Sequence, residues 1–325
     1  MRRRAFITLI GAAVAQPVRA FAQQPMPVVG FLSGASAWEF AHMAEAFRQG
    51  LGDAGFVVGR NVLIEYRWAE GRYDRVPTLV GDLIRHGVAV IAATGGVSSV
   101  LAAKAATTSI PIVFANGSDP VKFGVVERLN RPGGNITGAT FFNNVLGPKR
   151  LQVLRDVAPK AAVIALLVNP TNPNTEFDAS EIETAARSVG VRILRVNADS
   201  EREFDRAFAT MREHGVGALI VNSDAFFYAR RDQLIELATR LAVPAIFELR
   251  EWAAAGGLMS YGASIVEAYR QVGAYTGRIL KGVKAADLPV VQSSKFELVI
   301  NAETARTLGL SVPPTLLARA DEVIE

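Results

Sequence analysis

The sequence alternates between strand-like and helix-like hydrophobic patterns, and the whole alternation occurs twice. In the first half, short apolar and β-branched runs predict strands at residues 26–32, 61–68, 88–92 and 110–115. In the second half, similar runs predict strands at residues 163–168, 191–196, 218–222 and 244–247. Segments with helical spacing separate them, and this alternation favours a parallel sheet with helices on both faces. The predicted fold class is therefore α/β, with two Rossmann-like lobes that each contain a parallel sheet.

The turns that follow these strands are rich in Gly, Ser, Asn and Asp in both halves. Loops at the carboxyl ends of parallel strands line the ligand crevice of an open α/β sheet. Two lobes would place two such sets of loops opposite each other, and ligands commonly bind at the boundary between domains. We therefore expect a ligand cleft between the lobes. A tail with a predicted strand at 257–261, a helix at 265–280 and a strand at 296–301 completes the pattern.

Three motifs carry a family resemblance. They are Asp119-Pro120-Val121, the run Leu-Asn-Arg-Pro-Gly-Gly-Asn-Ile-Thr-Gly at 129–138, and the run Ala-Ala-Gly-Gly-Leu-Met-Ser-Tyr-Gly at 254–262. With these motifs the chain resembles the ABC-transporter substrate-binding proteins, a family with the periplasmic-binding-protein type I fold. That family includes tryptophan- and phenylalanine-binding members. The resemblance extends over nearly all of the chain after residue 22.

The resemblance also implies how the chain is divided between the lobes. It implies three crossings from lobe to lobe, near residues 141–145, 261–264 and 282–287. Lobe 1 would then contain residues 23–141 and 263–283, and lobe 2 would contain residues 142–262 and 284–325.

The first 22 residues have the pattern of a secretory signal peptide. Three arginines at positions 2–4 precede an apolar segment at residues 5–14, which is too short to span a bilayer core of about 30 Å. Ala20-Phe21-Ala22 forms an A-x-A site, which predicts cleavage after Ala22 and a periplasmic protein. The adjacent arginines leave the Sec and twin-arginine export routes both open.

The composition argues against several functional classes. The chain has 35 Lys and Arg against 31 Asp and Glu, but four of the arginines lie in the predicted signal peptide. The rest of the chain therefore has no basic excess that would favour nucleic-acid or membrane-surface binding. There is no cysteine, and the three histidines lack metal-ligand spacing, so we expect no metal, no cofactor and no thiol chemistry. We also expect a monomer.

Two loops are candidates for binding the charged groups of a small ligand. Thr94-Gly95-Gly96 precedes a predicted helix, whose free N–H groups suit a carboxylate. The alternative is an ordinary helix cap by Thr94 or Ser98, and the resemblance favours the anion site. Asp224 follows a predicted strand, and the resemblance implies that its carboxylate suits a ligand ammonium. The alternative for Asp224 is an N-cap of the next helix.

Aromatic and polar residues near the strand ends complete the predicted site. Trp38 is the first candidate for a cleft wall and Phe226 the second, although isolated aromatic residues more often pack in cores. Asp119 has the same ambiguity as Asp224, and the Asp-Pro sequence weights it towards loop structure. The remaining predicted ligand-binding residues are Ser33, Gly34, Asn116, Phe142, Asn172, Ser223, Glu248 and Tyr261.

The resemblance implies a function without catalysis. We expect a periplasmic solute-binding component of an ABC importer, which captures a small amino acid or an aromatic or apolar carboxylate by hinge closure. It would pass this ligand to a permease in the inner membrane. An alternative is a subunit that presents its ligand to a membrane sensor. A secreted α/β hydrolase is a third interpretation, but the sequence has no G-x-S-x-G nucleophile motif.

Overall fold

Two β-sheets organise the part of the chain that the computed structural model describes, residues 25–293 and 295–325. The predicted signal peptide and its cleavage site after Ala22 lie outside this part. The described strands, β1 to β13 in chain order, are Val28–Ser33, Leu63–Trp68, Val90–Thr94, Ile112–Asn116, Ile136–Thr140, Val163–Val168, Arg192–Asn197, Ala218–Val221, Ala245–Phe247, Met259–Ala263, Val291–Gln292, Phe296–Asn301 and Glu322–Ile324.

Helices connect most of these strands. The described α-helices, α1 to α12 in chain order, are Ala41–Asp53, Val76–Arg85, Val97–Ala106, Gly147–Val157, Thr175–Ser188, Glu201–Glu213, Ala225–Ala229, Arg231–Arg240, Arg250–Ala254, Val266–Leu280, Ala302–Thr307 and Pro314–Leu317. Short 3₁₀ helices occur at Tyr73–Arg75, Asn143–Leu146 and Ala285–Asp287.

The strand order confirms the predicted fold class. The first sheet has the order β11-β5-β4-β3-β1-β2, and its neighbouring strands pair in parallel. The second sheet has the order β13-β12-β10-β9-β8-β6-β7 and is parallel except for the β10–β12 pair. Every residue of β3 and β4 is buried, as expected of central strands with helices on both faces of the sheet. The carboxyl ends of the parallel strands provide the loops that build the site described below.

β5 was not among the predicted strands. It begins at the end of the Gly-rich motif at 129–138, and its sequence Ile-Thr-Gly-Ala-Thr contains a single large apolar residue. A side chain at Gly138 would collide with the backbone of Phe114 on the neighbouring β4. Gly138 therefore lowers the strand propensity of this segment, but it is also the residue that allows β5 to lie so close to β4.

The chain passes between the two sheets three times. The first passage follows β5, and the second lies between β10 and α10, which packs against α1 and across β3, β4 and β5. The third passage was predicted near residues 282–287. It instead lies between β11 and β12, because β11 still pairs with β5 in the first sheet. Hydrogen bonds from Thr137 Oγ1 to the Leu288 carbonyl (2.7 Å) and from Tyr275 Oη to the Pro289 carbonyl (2.9 Å) hold this segment there. The residue limits of the lobes otherwise stay a prediction.

Helices α1 and α10 join two distant parts of the chain in the first lobe. Gly50 of α1 and Gly273 of α10 face each other, and a side chain at either position would collide with the backbone of the opposite helix. Phe47 and Leu51 of α1 and Val272 of α10 are fully buried. The glycines thus allow the two helix backbones to approach closely, and α10 covers the central strands of the first sheet.

Candidate functional site

A cavity lies between the two lobes, where the strand-end loops of both sheets meet. It contains about 540 Å³ of space that protein atoms do not fill, part of it open to solvent. The first lobe contributes the backbone of Gly95 and Gly96 after β3 and of Gly117 after β4. The second lobe contributes Asn172 after β6, Ser223 and Asp224 after β8, and Glu248 after β9.

Aromatic rings line much of this cavity. Phe40, Tyr73 and Tyr269 come from the first lobe, Phe141 from the first passage between the lobes, and Tyr228 from the second lobe. Phe40 and Tyr228 make an edge-to-face contact across the cleft, with ring centroids 4.9 Å apart. The walls can therefore accommodate a flat apolar or aromatic group.

Asp224 forms the helix N-cap, which is one of the two roles that the sequence left open. Its Oδ1 accepts hydrogen bonds from the backbone N–H groups of Phe226 (2.8 Å) and Phe227 (3.1 Å), which caps α7. Its Oδ2 accepts from Tyr73 Oη of the opposite lobe (2.8 Å) and from Asn172 Nδ2 (2.7 Å). Burial raises the pKa of Asp224, and these hydrogen bonds oppose that rise. The protein itself therefore uses most of the acceptor capacity of this carboxylate.

Glu248 presents a second carboxylate to the same cavity. It follows β9, and Ser223 is the hydrogen-bonding side chain beside it. Burial raises the pKa of Glu248 to about 7; the Arg150 guanidinium opposes this shift, and the charge of Asp224 adds to it. Compared with Asp224, Glu248 has more free capacity to receive a positively charged group.

Arg150 and Asp178 lie beneath the cavity floor, and the sequence analysis did not single them out. Arg150 of α4 is 1% exposed and donates from Nη2 to the Asn143 carbonyl (2.8 Å). Asp178 of α5 accepts from Asn144 Nδ2 (2.7 Å) and Asn222 Nδ2 (3.2 Å). Burial raises the pKa of Asp178 to about 7 and lowers that of Arg150. Both were missed because charged residues in helical patterns are normally exposed.

The opposite wall contains the amino end of α3. Gly95 has φ +70° and Gly96 has φ +119°, conformations that favour glycine. Among the described residues no side chain caps α3, so its first N–H groups lack a partner within the helix. The alternative cap by Thr94 is not formed, because Thr94 Oγ1 donates to the Leu32 carbonyl (3.1 Å). This wall is a suitable environment for a carboxylate.

Two predicted cavity walls lie elsewhere. Trp38 is 86% exposed on the outside of the loop before α1, so its prediction as a wall is wrong; Phe40, two residues later, lines the cavity. Phe226 packs with Phe204 and Phe227, at centroid distances of 5.5 and 5.7 Å, in the interior of the second lobe. It contributes to the outer mouth of the cleft instead of the cavity.

Other predicted residues support the loops without lining the cavity. Asp119 Oδ1 accepts from the backbone N–H groups of Val121 (2.9 Å) and Lys122 (3.2 Å), which closes its own turn. Ser33 Oγ accepts from the Ala35 N–H (3.2 Å), and the Gly34 N–H donates to the Thr94 carbonyl (3.1 Å).

The remaining three predicted residues also lie behind the cavity surface. Asn116 is fully buried, and its side-chain amide has no hydrogen-bond partner among the described residues. Phe142 is partly buried with φ +51°, and the ring of Tyr261 packs against the core of the second lobe. The cavity is therefore built from fewer of the predicted residues than expected.

Direct contacts between the lobes surround the cavity. Besides the Tyr73–Asp224 hydrogen bond, Ser118 Oγ donates to Asn174 Oδ1 (2.9 Å), and Lys122 Nζ lies 4.6 Å from the ring centroid of Phe177. These contacts hold the two lobes against each other in this conformation. Within residues 25–293 and 295–325, no helix is long and apolar enough to cross a membrane, and no His, Asp and Glu cluster suits a metal ion.

Comparison with known proteins identifies the family. A family model described as ABC transporter substrate binding protein matches residues 27–324. The chain belongs to this family. Members of this family are substrate-binding proteins, in agreement with the prediction that the chain is not an enzyme. The predicted type I periplasmic-binding-protein fold is also confirmed.

Individual relatives are distant in sequence but similar in fold. A tyrosine-binding protein from Clostridioides difficile (strain R20291) is 23% identical over 266 residues, which are 82% of this substrate-binding protein and 76% of the relative. A domain from Streptococcus pneumoniae solved with L-Trp is 23% identical, with a TM-score of 0.83 over 92% of this chain and 99% of that one. A ligand-free, open structure of a Clostridium difficile substrate-binding protein with adhesive properties is 22% identical, with a TM-score of 0.63 over the same shares.

Proposed function

We propose that this substrate-binding protein captures an amino acid with an aromatic or apolar side chain and delivers it to an ABC permease. One observation carries the proposal: a single cavity has carboxylates on one wall, free helix N–H groups on the opposite wall, and aromatic rings between them. An α-amino acid has the complementary arrangement of ammonium, carboxylate and side chain. The names of a tyrosine-binding relative and an L-Trp complex agree with this ligand class.

In this proposal each charged group of the ligand has a defined position. The ligand ammonium lies beside Glu248, with Asp224 adjacent, because Asp224 already accepts hydrogen bonds from Tyr73, Asn172 and the α7 backbone. The ligand carboxylate lies at the amino end of α3, where Gly95 and Gly96 allow close approach to the backbone. The side chain lies among the aromatic rings.

Hinge closure accompanies capture in this proposal. The three passages between the sheets are the hinge, and the contacts around the cavity, such as Tyr73–Asp224 and Ser118–Asn174, form on closing. A ligand that contacts both walls favours the closed state over the open one, since it interacts with both lobes only when they meet. Export through cleavage after Ala22, a periplasmic location and a permease partner in the inner membrane belong to the same proposal.

The proposal is tested by calorimetric titration of residues 23–325 with L-tyrosine, L-tryptophan and L-phenylalanine. The des-amino and decarboxylated analogues of the best ligand are titrated in parallel. We expect a Kd in the micromolar range, which corresponds to about −8 kcal/mol, and a much weaker affinity for each analogue. If the des-amino analogue bound as tightly as the amino acid, the proposed ammonium site would be refuted. Binding of sugars instead of amino acids would refute the ligand class.

A matched pair of variants locates the ammonium. Glu248→Gln keeps the size of the side chain and removes its charge next to the ligand. Glu236→Gln makes the same change on the exposed surface of α8, far from any cavity-lining loop. We expect only Glu248→Gln to weaken the binding of the amino acid, with little further effect on the des-amino analogue.

A further inference from the structure

Negatively charged side chains outnumber positively charged ones around the cavity floor. Arg150 is the one guanidinium among three buried or half-buried carboxylates, those of Asp178, Asp224 and Glu248. Arg150 and Asp178 are absent from the cavity lining, so a ligand in the cavity would not contact them directly. We propose that Arg150 and Asp178 are positioning residues that set the charge of Glu248, so that capture of a ligand ammonium releases a proton from this cluster. The inference rests on the proposed function.

The first step is that the cluster is held rigidly. Arg150 donates from Nη1 to the Tyr261 carbonyl (3.3 Å) and from Nη2 to the Asn143 carbonyl (2.8 Å) and Ser223 Oγ (3.4 Å). The side-chain amides of Asn144 and Asn222 both donate to Oδ2 of Asp178, and its Oδ1 has no hydrogen-bond partner among the described residues. Arg150 and Asp178 are therefore buried and held in place, so neither can turn towards water.

The second step is electrostatic. If all three carboxylates were ionised, the cluster would carry an excess of two negative charges in a largely dry environment, and protonation is the least costly relief. In agreement with this, burial raises the pKa of both Glu248 and Asp178 to about 7; the charge of Glu248 adds to the rise at Asp178, and the charge of Asp224 adds to the rise at Glu248. Because Arg150 acts on both carboxylates and the charge of Glu248 acts on Asp178, we treat the two carboxylates as one titrating unit.

Charged and titratable groups surround this unit on several sides. Those that influence Glu248 or Asp178 are Arg150, Asp224, Glu251, Tyr73 and Tyr228. Of these, Arg150 alone supplies a positive charge, and the tyrosines stay neutral because their pKa values are raised. The groups around the unit therefore leave it with bound protons near neutral pH.

The third step is the effect of the ligand. An ammonium next to Glu248 supplies the missing positive charge, which favours the ionised carboxylate and lowers its pKa. The proton that Glu248 held is then released to water. Binding should consequently become tighter as the pH rises towards about 7, by up to roughly tenfold per pH unit for each proton released. Above that range the affinity should level off, because the cluster is then already deprotonated.

The test is calorimetric titration with L-tyrosine and L-tryptophan at about pH 6.5 in two buffers of different ionisation enthalpy. The slope of the binding enthalpy against the ionisation enthalpy of the buffer counts the protons exchanged. We expect release of about 0.5–1 proton by the wild-type protein, since a group of pKa about 7 is mostly protonated at this pH. We expect the same value for the exposed Glu236→Gln control.

The variants distinguish a positioning role from a merely structural one. Glu248→Gln should release almost no proton, and Asp178→Asn should release fewer protons and shift the pH profile of Kd to lower pH. Arg150→Lys should retain proton release, whereas Arg150→Met should raise the pH at which affinity levels off. A variant that simply unfolds would change the fraction of competent protein, not the number of protons released per ligand bound.

The outcomes separate this inference from the proposed function. Tight binding without proton exchange would overturn the inference and leave the proposed function intact. If no amino acid binds, the proposed function fails and the inference fails with it. A ligand-independent measurement is carboxyl ¹³C NMR of the wild-type protein. Ionisation of Glu248 and Asp178 near neutral pH would support the inference, and ionisation of both near pH 4, their usual range, would overturn it.

Discussion

Replacing Tyr73 by Phe is the sharpest test of the closed arrangement. The ring of Tyr73 lines the cavity, and its hydroxyl donates to Asp224 Oδ2 across the cleft at 2.8 Å. Phe keeps the ring and removes only this hydrogen bond. Asp224 remains satisfied, because Asn172 Nδ2 still donates to Oδ2 at 2.7 Å and the α7 N–H groups still donate to Oδ1. The loss therefore falls on the contact between the lobes.

The magnitude follows from the charge of the acceptor. A hydrogen bond to a charged group contributes about 1.5–3 kcal/mol, and here it exists only when the lobes meet. In the open state water hydrates the Tyr73 hydroxyl and Asp224 in the wild type, and Asp224 in the variant. The closed state should thus become less favourable by this amount, which weakens the ligand Kd by roughly tenfold to a hundredfold. Calorimetric titration measures the Kd, and small-angle X-ray scattering measures the accompanying loss of closure.

Tyr275→Phe is the matched control. Tyr275 Oη donates to the Pro289 carbonyl at 2.9 Å within the first lobe, so this substitution also removes one tyrosine hydroxyl but no contact between lobes. We expect it to lower the thermal stability slightly and to leave the Kd unchanged. Wild-type affinity of Tyr73→Phe, or an equal loss in Tyr275→Phe, would refute the reasoning. A double-mutant cycle with Asp224→Asn isolates the coupling.

Three further substitutions test individual features of the structure. The pKa of Glu248 is raised to about 7, so the folded state binds more protons than the unfolded state; as the pH rises from about 4.5 to 7, the free energy of unfolding should fall by at most about 3 kcal/mol. Urea denaturation at both ends of this pH range should show a smaller fall in Glu248→Gln than in the wild type, and an equal fall would contradict the assignment. Gly95→Ala should destabilise the protein by about 1–3 kcal/mol in thermal denaturation, because φ is +70° and the new methyl group would lie 2.5 Å from Ser33 Oγ and 2.6 Å from the Gly34 nitrogen. Trp38→Ala should change the free energy of unfolding by no more than about 0.5 kcal/mol and leave the Kd unaltered, because the side chain is 86% exposed; a clear loss of ligand affinity would restore it as a cleft wall.

The sequence predicted the part of the site that depends on strand ends. Glu248 and Gly95 directly follow β9 and β3, and Asp224 lies three residues after β8, so parallel pairing alone places them at one edge of their sheets. The sequence predicted a helix from Trp38 with Phe40 on its apolar face and did not connect Phe40 with the cleft; in the structure both residues lie in the turn before α1. The structure buries Phe40 and exposes Trp38.

The local sequence does not identify residues that act across the cleft or beneath it. Tyr73 meets Asp224 although 151 positions separate them in the chain, and no local motif encodes such a contact. Arg150 stands in an otherwise ordinary helix, where a charged residue is normally solvent-exposed. Its burial depends on the carbonyl groups of Asn143 and Tyr261, which the tertiary fold brings to it. Predicting such residues requires the relative placement of both lobes.

The contact between α1 and α10 has a consequence for biosynthesis. About two hundred residues separate Gly50 from Gly273, so the first lobe lacks a covering helix until most of the chain has been made. Contacts between such distant segments fold slowly, and the uncovered apolar face of Phe47 and Leu51 remains open to aggregation meanwhile. Strands β6 to β10 of the second sheet come from one contiguous stretch, residues 163–263, and can form before α10 is available. These strands are thus expected to be protected before the first lobe is complete, an order that pulsed hydrogen exchange during refolding would resolve.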